Sequence, residues 1–202
     1  MRNQQSVFEE IYQKNRWGKG SGTGSSPDYC KSYIDFLRGF IVTKGVQSVL
    51  DVGCGDWQLY RDMSWEHVKY TGCDISQTAL NLAKRNGATN VHLVTTIDDT
   101  LHFIKDNPSN LILIKDVMMH WTDDEIKHFL TELLKIEGWS CIITSNNWKY
   151  SRSPEKNGQP RELDKYSWAP IPVEQLEPYG FTPLFRYPTG GHKQVMINWR
   201  HS

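Results

Sequence analysis

Residues 48–56 read Ser-Val-Leu-Asp-Val-Gly-Cys-Gly-Asp, a short apolar run that contains an acid and is followed by two glycines. The apolar run favours a buried strand, because branched and bulky side chains pack well on a pleated sheet. Gly53 and Gly55 predict a tight turn where the backbone approaches a ligand closely. We expect residues 57–63 to begin a helix whose N-terminal amides face that ligand. Strand, turn and helix together indicate a nucleotide-type binding site.

The acids around this turn narrow the class of ligand. Asp51, Gly53 and Gly55 form a D-x-G-x-G pattern, and Asp74 follows the next predicted strand. A dinucleotide fingerprint would read G-x-G-x-x-G, and its third glycine is missing, which argues against NAD or FAD. A turn whose glycines serve geometry alone is the alternative. The pattern resembles motif I of the class I S-adenosylmethionine-dependent methyltransferases.

Composition excludes several other classes of protein. The 202 residues suffice for one domain with a sizeable core, and 23 basic and 23 acidic residues give zero formal net charge. That balance argues against a nucleic-acid or membrane partner. We find no membrane-spanning run and no signal-peptide pattern. The four cysteines lack metal-site spacing and suggest a reducing compartment, so we expect a cytoplasmic protein.

The order of elements predicts the fold class. Apolar runs alternate with segments of helical periodicity, which is typical of an α/β doubly wound parallel sheet. Two final strands joined by a Pro-Thr-Gly-Gly turn predict an antiparallel hairpin. We therefore expect a Rossmann-like, seven-stranded, mostly parallel sheet with helices on both faces. The predicted strands are 47–52, 69–73, 91–95, 111–114, 140–144, 181–187 and 194–199, and the helices are 7–14, 28–42, 76–86, 101–105, 122–136 and 173–179.

We predict one methyltransferase domain over residues 1–202, in three parts. Residues 1–26 comprise a short helix and a Gly/Ser-rich lid, residues 27–147 form the cofactor-binding core, and residues 148–202 form an acceptor loop and the hairpin. A flexible linker is the alternative interpretation of the Gly/Ser-rich stretch. Trp17 at its start favours a lid, because a linker needs no large anchoring side chain.

The resemblance implies S-adenosylmethionine as cofactor, with S-adenosylhomocysteine as product. It places the motif I loop beneath the methionine part and Asp74 on the ribose hydroxyls; a helix cap is the other role open to Asp74. After the third strand we expect Ile97 to contact adenine, with Asp98 as another possibility. The full set of expected cofactor contacts is Trp17, Ser21, Gly22, Asp51, Gly53, Cys54, Gly55, Asp74, Ile75, Ile97, Lys115 and Asp116.

A narrower resemblance concerns the acceptor. Residues 17–26, the D-x-G-C-G-D-W stretch and residues 115–121 (K-D-V-M-M-H-W) resemble small methyltransferases that O-methylate sugars of bacterial or viral surface glycans. Such enzymes are often encoded beside, or fused to, glycosyltransferases. The resemblance implies a sugar or glycan acceptor, rhamnose or another deoxyhexose among the candidates, with a glycosyltransferase as neighbour or fusion partner.

A sugar hydroxyl is a poor nucleophile and benefits from a general base. We expect His120 to be that base, because an unperturbed pKa of about 6.5 suits proton abstraction near neutral pH. A histidine that packs on Trp121 is the alternative. Asp116 is a second catalytic candidate, either orienting His120 or acting as base, and Lys115 could pair with it. The expected substrate contacts are Asn146, Asn147, Tyr150, Arg152, Trp168 and His192.

Three further readings stay open at the level of sequence. Asp116, His120 and Asp123 could in principle hold magnesium, although no spacing requires it and we expect no metal. The acceptor could be a non-sugar small molecule, methylated on nitrogen or oxygen. The domain could also bind the cofactor without catalysing transfer, although an intact motif I together with Asp74 argues against that.

Overall fold

A computed structural model of the chain describes residues 4–146, 169–189 and 191–200. The strands are β1 (Ser48–Val52), β2 (Lys69–Asp74), β3 (Val91–Leu93), β4 (Leu111–Lys115), β5 (Ser140–Asn146), β6 (Thr182–Thr189) and β7 (Gly191–Asn198). The helices are α1 (Gln4–Gln13), α2 (Lys31–Thr43), α3 (Gln77–Arg85), α4 (Ile97–Asp106), α5 (Asp123–Leu133) and α6 (Val173–Leu176). Short 3-10 turns cover Thr23–Ser25, Met118–His120 and Glu177–Tyr179.

All seven strands join one sheet in the order β3-β2-β1-β4-β5-β7-β6. The first five pair in parallel, and β7 runs antiparallel to both β5 and β6. This confirms the predicted sheet. The strand order reverses between β1 and β4, and ligands of open α/β sheets bind beside the carboxyl ends of the strands at such a reversal.

The sheet separates two apolar cores. On one face Val49, Leu113 and Ile142 pack with α2, and on the other Leu50, Ile112 and Ile143 pack beneath α4 and α5. Every residue of β4 is buried, as its uninterrupted apolar run predicts for a strand covered on both faces.

Three helix starts follow from local side-chain chemistry. The Ser76 hydroxyl accepts from the Ala79 amide and begins α3, so the helix cap is Ser76 and not Asp74. Thr122 and Glu125 form a reciprocal capping box that begins α5. The hydroxyl of Thr96 likewise caps α4, which makes that helix longer than the predicted residues 101–105.

The predicted helix at residues 57–63 is wrong. Trp57 has a left-handed φ of 62°, which a right-handed helix does not accommodate. Tight turns follow it, in which the amides of Tyr60 and Met63 each donate to the carbonyl three residues earlier. All three side chains are buried in the core on the α2 face, so packing compensates for the irregular backbone. No helix N-terminus therefore points at the cavity from this segment.

The C-terminal hairpin is longer than predicted. Pro188 pairs with His192 and Thr189 with Gly191, so the ladder continues to the tip. His192 therefore lies in β7 and not in the turn, where the sequence placed it. None of the helices in the described part of the chain is long and apolar enough to cross a membrane.

We predict that Gly53→Ala destabilises the protein by about 2–3 kcal/mol, because alanine is strained at positive φ and overpacks the site. Gly53 has φ 72°, and a Cβ there would lie 2.2 Å from Val117 Cγ2. Urea unfolding without cofactor measures the free energy of unfolding. Gly39→Ala is the matched control, because nothing lies within 4 Å of its new methyl group. We expect the control to gain about 0.5–1 kcal/mol, since alanine favours a helix interior. Equal effects of the two substitutions would contradict the argument.

Candidate active site

A cavity of about 880 Å³ opens at the carboxyl ends of β1, β2 and β4. Its walls come from the loops after these strands, from α1 and from the segment between α1 and α2. Small-molecule sites typically enclose about 300–1,000 Å³, so the volume suits a nucleoside-sized cofactor and a small second reactant.

The glycine loop after β1 forms the floor of the cavity. The amides of Gly53 and Cys54 both donate to the Cys73 carbonyl of β2, at 2.8 and 3.0 Å. The Gly55 amide donates to Asp74 Oδ2 at 2.9 Å. A Cβ on Gly55 would lie 2.3 Å from the hydroxyl oxygen of Ser21. The loop therefore packs against its neighbours too closely for any larger residue.

Asp74 ends β2 inside the cavity wall. Its second oxygen accepts from the Ser76 amide at 2.9 Å, so two backbone amides fix the carboxylate. Burial raises its pKa to about 6, although the amides of Ser76, Gly55 and Ile75 favour the charged form. Each carboxylate oxygen keeps a further lone pair, which a ribose hydroxyl can use as acceptor.

Asp51 is a buried carboxylate in the same wall. The Tyr70 hydroxyl donates to it at 2.7 Å. Burial raises its pKa to about 7, with the Tyr70 hydrogen bond and the Lys115 charge acting in the opposite direction. No described cationic side chain forms an ion pair with it. A positively charged ligand group would supply the missing counter-ion.

The segment between α1 and α2 closes one side of the cavity. The Ser21 hydroxyl donates to Asp56 Oδ1 at 2.7 Å. The Ser21 amide donates to Asp56 Oδ2, and the Asp56 amide donates to the Ser21 hydroxyl oxygen. Tyr12 of α1 lies 2.8 Å from the Ser21 oxygen. Ser21, Gly22 and Trp17 line the cavity, so the structure places this segment where a lid would act.

Helix α1 crosses the cavity mouth. Glu9 accepts from the Ser76 hydroxyl at 2.8 Å and from the Thr78 hydroxyl at 2.5 Å. At the other end of the helix, Gln4 donates to the Glu125 carboxylate at 3.1 Å. The helix is therefore attached to the starts of both α3 and α5.

Three charged residues meet after β4. Lys115 Nζ lies 2.6 Å from Asp116 Oδ2, and Lys193 Nζ of β7 lies 2.5 Å from Asp116 Oδ1. Lys115 also donates to the Gly24 carbonyl at 2.8 Å. Burial raises the pKa of Asp116, but the two ammonium groups outweigh it and bring the pKa to about 2. Lys115 pairs with Asp116 as expected.

The contacts of Asp116 argue against the hypothesis that it acts as a base. A carboxylate with a pKa of about 2 is too weakly basic, and both of its oxygens are held by lysines. The same contacts argue against a magnesium site. Within residues 4–146, 169–189 and 191–200, no group of three histidine, cysteine or acidic side chains is arranged to bind a metal.

His120 lies in the cavity wall four residues beyond Asp116. Its ring stacks on Trp17 with centroids 6.3 Å apart and meets the edge of Phe8 at 5.1 Å. The neighbouring Trp121 ring packs on Phe129 in the core, with ring centroids 5.0 Å apart.

The part of the cavity beyond β3 is where we expect adenine. Ile75, Ile97 and Asp98 line the cavity, so both residues considered for adenine contact lie in its wall. The Asp98 carboxylate also accepts from His128 of α5 at 2.7 Å.

The structure places every expected cofactor residue in this cavity wall; these are Trp17, Ser21, Gly22, Asp51, Gly53, Cys54, Gly55, Asp74, Ile75, Ile97, Lys115 and Asp116. Asn146 ends β5, and His192 lies in β7, but their side chains lie outside what the structure describes. The remaining expected substrate contacts, Asn147, Tyr150, Arg152 and Trp168, also lie outside the described residues.

Lys193 and Tyr70 also belong to the site, although the sequence did not single them out. His192 and Gln194 flank Lys193, and Lys69 and Thr71 flank Tyr70, so no local pattern marks either residue. Their partners, Asp116 and Asp51, are respectively 77 and 19 residues away in the chain. Only the folded sheet brings them together.

Comparison with known proteins agrees with this geometry. Residues 49–136 match a family model described as a methyltransferase domain. A methyltransferase from Anabaena variabilis superimposes with a TM-score of 0.67 at 14% identity, covering 97% of this chain and 95% of its own. The complex of DhpI with S-adenosylhomocysteine superimposes with a TM-score of 0.58 at 15% sequence identity, and the match covers 97% of this chain and 95% of DhpI. Magnesium protoporphyrin IX methyltransferase from Synechocystis, with bound S-adenosylhomocysteine, superimposes with a TM-score of 0.54 at 14% sequence identity. That match covers 82% of this chain and 80% of the other. No curated protein matches the chain.

The glycine loop and the seven-stranded sheet agree with the match of residues 49–136 to a methyltransferase domain, and the chain has the fold of solved S-adenosylmethionine-dependent methyltransferases. At these identities the solved structures show a shared fold. The residues present fit the cofactor, because Asp51 lacks a counter-ion and Asp74 has acceptor capacity to spare.

We predict that Asp74→Ala weakens S-adenosylhomocysteine binding by about 10–100-fold, because it removes a charged acceptor from the ribose position. Isothermal titration calorimetry measures the dissociation constant. Asp62→Ala is the control, because Asp62 is an exposed acid paired only with its neighbour Arg61. Unchanged affinity in Asp74→Ala would show that the ribose binds elsewhere.

We predict that Asp51→Asn stabilises the cofactor-free protein. The folded-state pKa of about 7 lies above the ordinary value of 3.8, so the folded state binds the proton more tightly. The stabilising contribution of Asp51 is therefore fully present below about pH 4 and is lost as pH rises to about 7. We expect the melting temperature of the variant to exceed that of wild type by about 3–6 °C at pH 8 and by much less at pH 5.

The same variant should bind S-adenosylhomocysteine at least about tenfold more weakly, since it has lost the charge that faces the ligand ammonium. Differential scanning fluorimetry at both pH values and calorimetry at pH 8 provide the two measurements. A melting difference independent of pH would contradict the account of Asp51.

Proposed function

We propose that this protein transfers the methyl group of S-adenosylmethionine to a hydroxyl of a sugar or glycan, rhamnose and other deoxyhexoses included. The observation that carries the proposal is His120, a titratable ring held in the cavity wall between Phe8 and Trp17. Aromatic faces pack against the apolar C–H faces of sugars, and a base beside them can act on a sugar hydroxyl.

In the proposed reaction the acceptor oxygen attacks the methyl carbon from the side opposite the sulfur. The new O–CH3 bond forms as the S–CH3 bond breaks, and the bonding electrons return to the sulfur of S-adenosylhomocysteine. His120 takes the hydroxyl proton as the oxygen attacks. Asp116 is not the proton acceptor, because Lys115 and Lys193 keep its carboxylate ionised and weakly basic.

The remaining wall residues position the donor in this proposal. Asp51 receives the methionyl ammonium, Asp74 receives the ribose hydroxyls, and Ile97 contacts adenine. The Ser21–Asp56 contact holds the lid against the glycine loop, so that water is excluded while transfer occurs. A second candidate acceptor, an amine or a phenol of a small molecule, would need no base, and His120 would then have no catalytic role.

We infer the cellular setting from chemistry alone. The zero net charge supports an acceptor other than nucleic acid and gives no attraction to a membrane surface. The four cysteines are unpaired and buried, which supports a reducing compartment such as the cytoplasm. A glycosyltransferase that supplies the acceptor is the partner we propose, as a neighbour or as a fusion.

The proposal is tested by measuring S-adenosylhomocysteine release with a panel of acceptors. The panel contains rhamnosides, hexosides, nucleotide sugars, a phenol and a primary amine. Turnover with at least one sugar, and its dependence on the free hydroxyl, is expected. Turnover of only the phenol or amine would replace the sugar acceptor. Binding of S-adenosylhomocysteine without turnover of any class would favour a non-catalytic binding domain.

We predict that His120→Ala lowers kcat for the sugar acceptor by about 10²–10⁴-fold, the usual contribution of a general base. Affinity for S-adenosylhomocysteine should change little. His102→Ala is the matched control, because His102 lies on the exposed face of α4. The wild-type rate should fall at low pH, where the imidazole is protonated. Full turnover of His120→Ala at every pH would place the base elsewhere.

A further inference from the structure

The proposed transfer leaves the positive charge of a buried cluster unused. We name Lys115, Asp116 and Lys193 the charged cluster. It contains two ammonium groups and one carboxylate, each ammonium paired with a different oxygen of Asp116. With all three groups ionised, the charged cluster carries one excess positive charge. Lys115 and Lys193 are 8% and 6% exposed, so bulk water screens that charge poorly.

The layer behind the charged cluster does not neutralise it. Tyr187 lies opposite Lys193 in the β6–β7 ladder, and Thr144 lies opposite Lys115 in the β4–β5 ladder. Both hydroxyls are buried and lack a hydrogen-bond partner within the described residues. Burial raises the pKa of the nearby Cys30 thiol, which keeps that thiol neutral. Asp51 acts on Lys115 through its charge, but no described neighbour forms a second ion pair with the charged cluster.

The charged cluster also has unused hydrogen-bond donors. An ammonium group has three N–H donors. Lys193 donates to Asp116 alone among the described residues, whereas Lys115 donates to Asp116 and to the Gly24 carbonyl. Both lysines line the cavity. Burial and the Lys115 charge lower the pKa of Lys193, as expected where positive charge is in excess.

The position of Lys193 separates it from the donor-binding wall. Asp74 and Asp51 lie on β2 and β1, whereas Lys193 lies on β7. In the sheet order β7 is three strands from β1, or about 14 Å at the usual strand spacing. The acidic wall on β1 and β2 faces the cationic donor in the proposed reaction. The charged cluster begins one strand away, at the end of β4, and extends from there to Lys193 of β7.

We propose that the acceptor carries a carboxylate or a phosphate group and that this anion binds to Lys193 and Lys115. The anion supplies the charge that the cluster lacks and accepts from its unused N–H donors. The inference rests on the proposed function, because it describes the acceptor of that reaction. It specifies an acidic sugar, such as a uronic acid or a sugar phosphate, in place of a neutral one.

The first test uses inorganic phosphate as the probe, on protein saturated with S-adenosylhomocysteine. Phosphate should raise the melting temperature of wild type and of Lys193→Arg, and it should not raise that of Lys193→Met. Lys193→Met leaves Lys115 and Asp116 as a balanced pair, so this variant is expected to fold. Lys84→Met, at an exposed position of α3, is the control and should respond as wild type does. An equal phosphate response in Lys193→Met would overturn the proposal.

The second test compares methyl β-glucuronide with methyl β-glucoside, which differ in the carboxylate. Turnover of the acid should exceed turnover of the neutral sugar at least tenfold in wild type. Lys193→Arg should keep that preference and Lys193→Met should lose it. Glucose 6-phosphate against glucose decides between phosphate and carboxylate. Equal turnover of acidic and neutral sugars overturns the anionic acceptor and leaves the proposed function intact. If no sugar is methylated, the proposed function fails, and the phosphate response alone decides whether the anion site exists.

The third test asks whether the anion that binds the two lysines is the carboxylate of the cofactor. S-adenosylhomocysteine carries a carboxylate, and 5′-methylthioadenosine lacks it. We expect Lys193→Met to change the dissociation constants of both by less than twofold. A tenfold loss for S-adenosylhomocysteine alone would assign the lysines to the cofactor carboxylate and overturn the proposal.

Discussion

The loop after β1 imposes the constraint on which the site depends. Its backbone turns through left-handed conformations at Gly53, Gly55 and Trp57, and two of these positions accept no larger residue without strain. The strained turn is held by hydrogen bonds that its backbone amides donate to the Cys73 carbonyl and the Asp74 carboxylate of β2. The hydrogen bond from Gly55 also fixes the Asp74 carboxylate, which we propose as the ribose acceptor. One set of hydrogen bonds therefore fixes both the loop backbone and the Asp74 carboxylate, so a change in the loop also moves the carboxylate.

Acidic and basic side chains lie on different strands around the cavity. Burial raises the pKa of Asp51 and of Asp74, because neither forms an ion pair with a described cation. The pKa of Asp116 is lowered to about 2, because Lys115 and Lys193 bond to it. The pKa values of three aspartates at neighbouring strand ends are thus shifted in opposite directions, upward for Asp51 and Asp74 and downward for Asp116. The wall on β1 and β2 suits a cation, and the wall on β4 and β7 suits an anion.

The N-terminal segment completes the cavity through polar contacts. Glu9 and Gln4 attach α1 to two helix starts, and Ser21 attaches the lid to Asp56. Trp17 and Phe8 then enclose His120. Hydrogen bonds of this kind contribute modestly to stability one by one, so several of them together hold the segment against the cavity.

The sequence by itself determined the sheet, its parallel core and hairpin, and the glycine loop with Asp74. Strand periodicity and left-handed glycines are local properties of the chain, so a single sequence is enough to predict them. Tertiary structure decided what depends on neighbours distant in the chain. It replaced a predicted helix with turns around Trp57, because the core absorbed those side chains. It brought Lys193 to Asp116, which argues against that carboxylate as a base, and it brought the Tyr70 hydroxyl to Asp51. The charge state of a buried group depends on its neighbours in space, and a strand pattern does not contain that information.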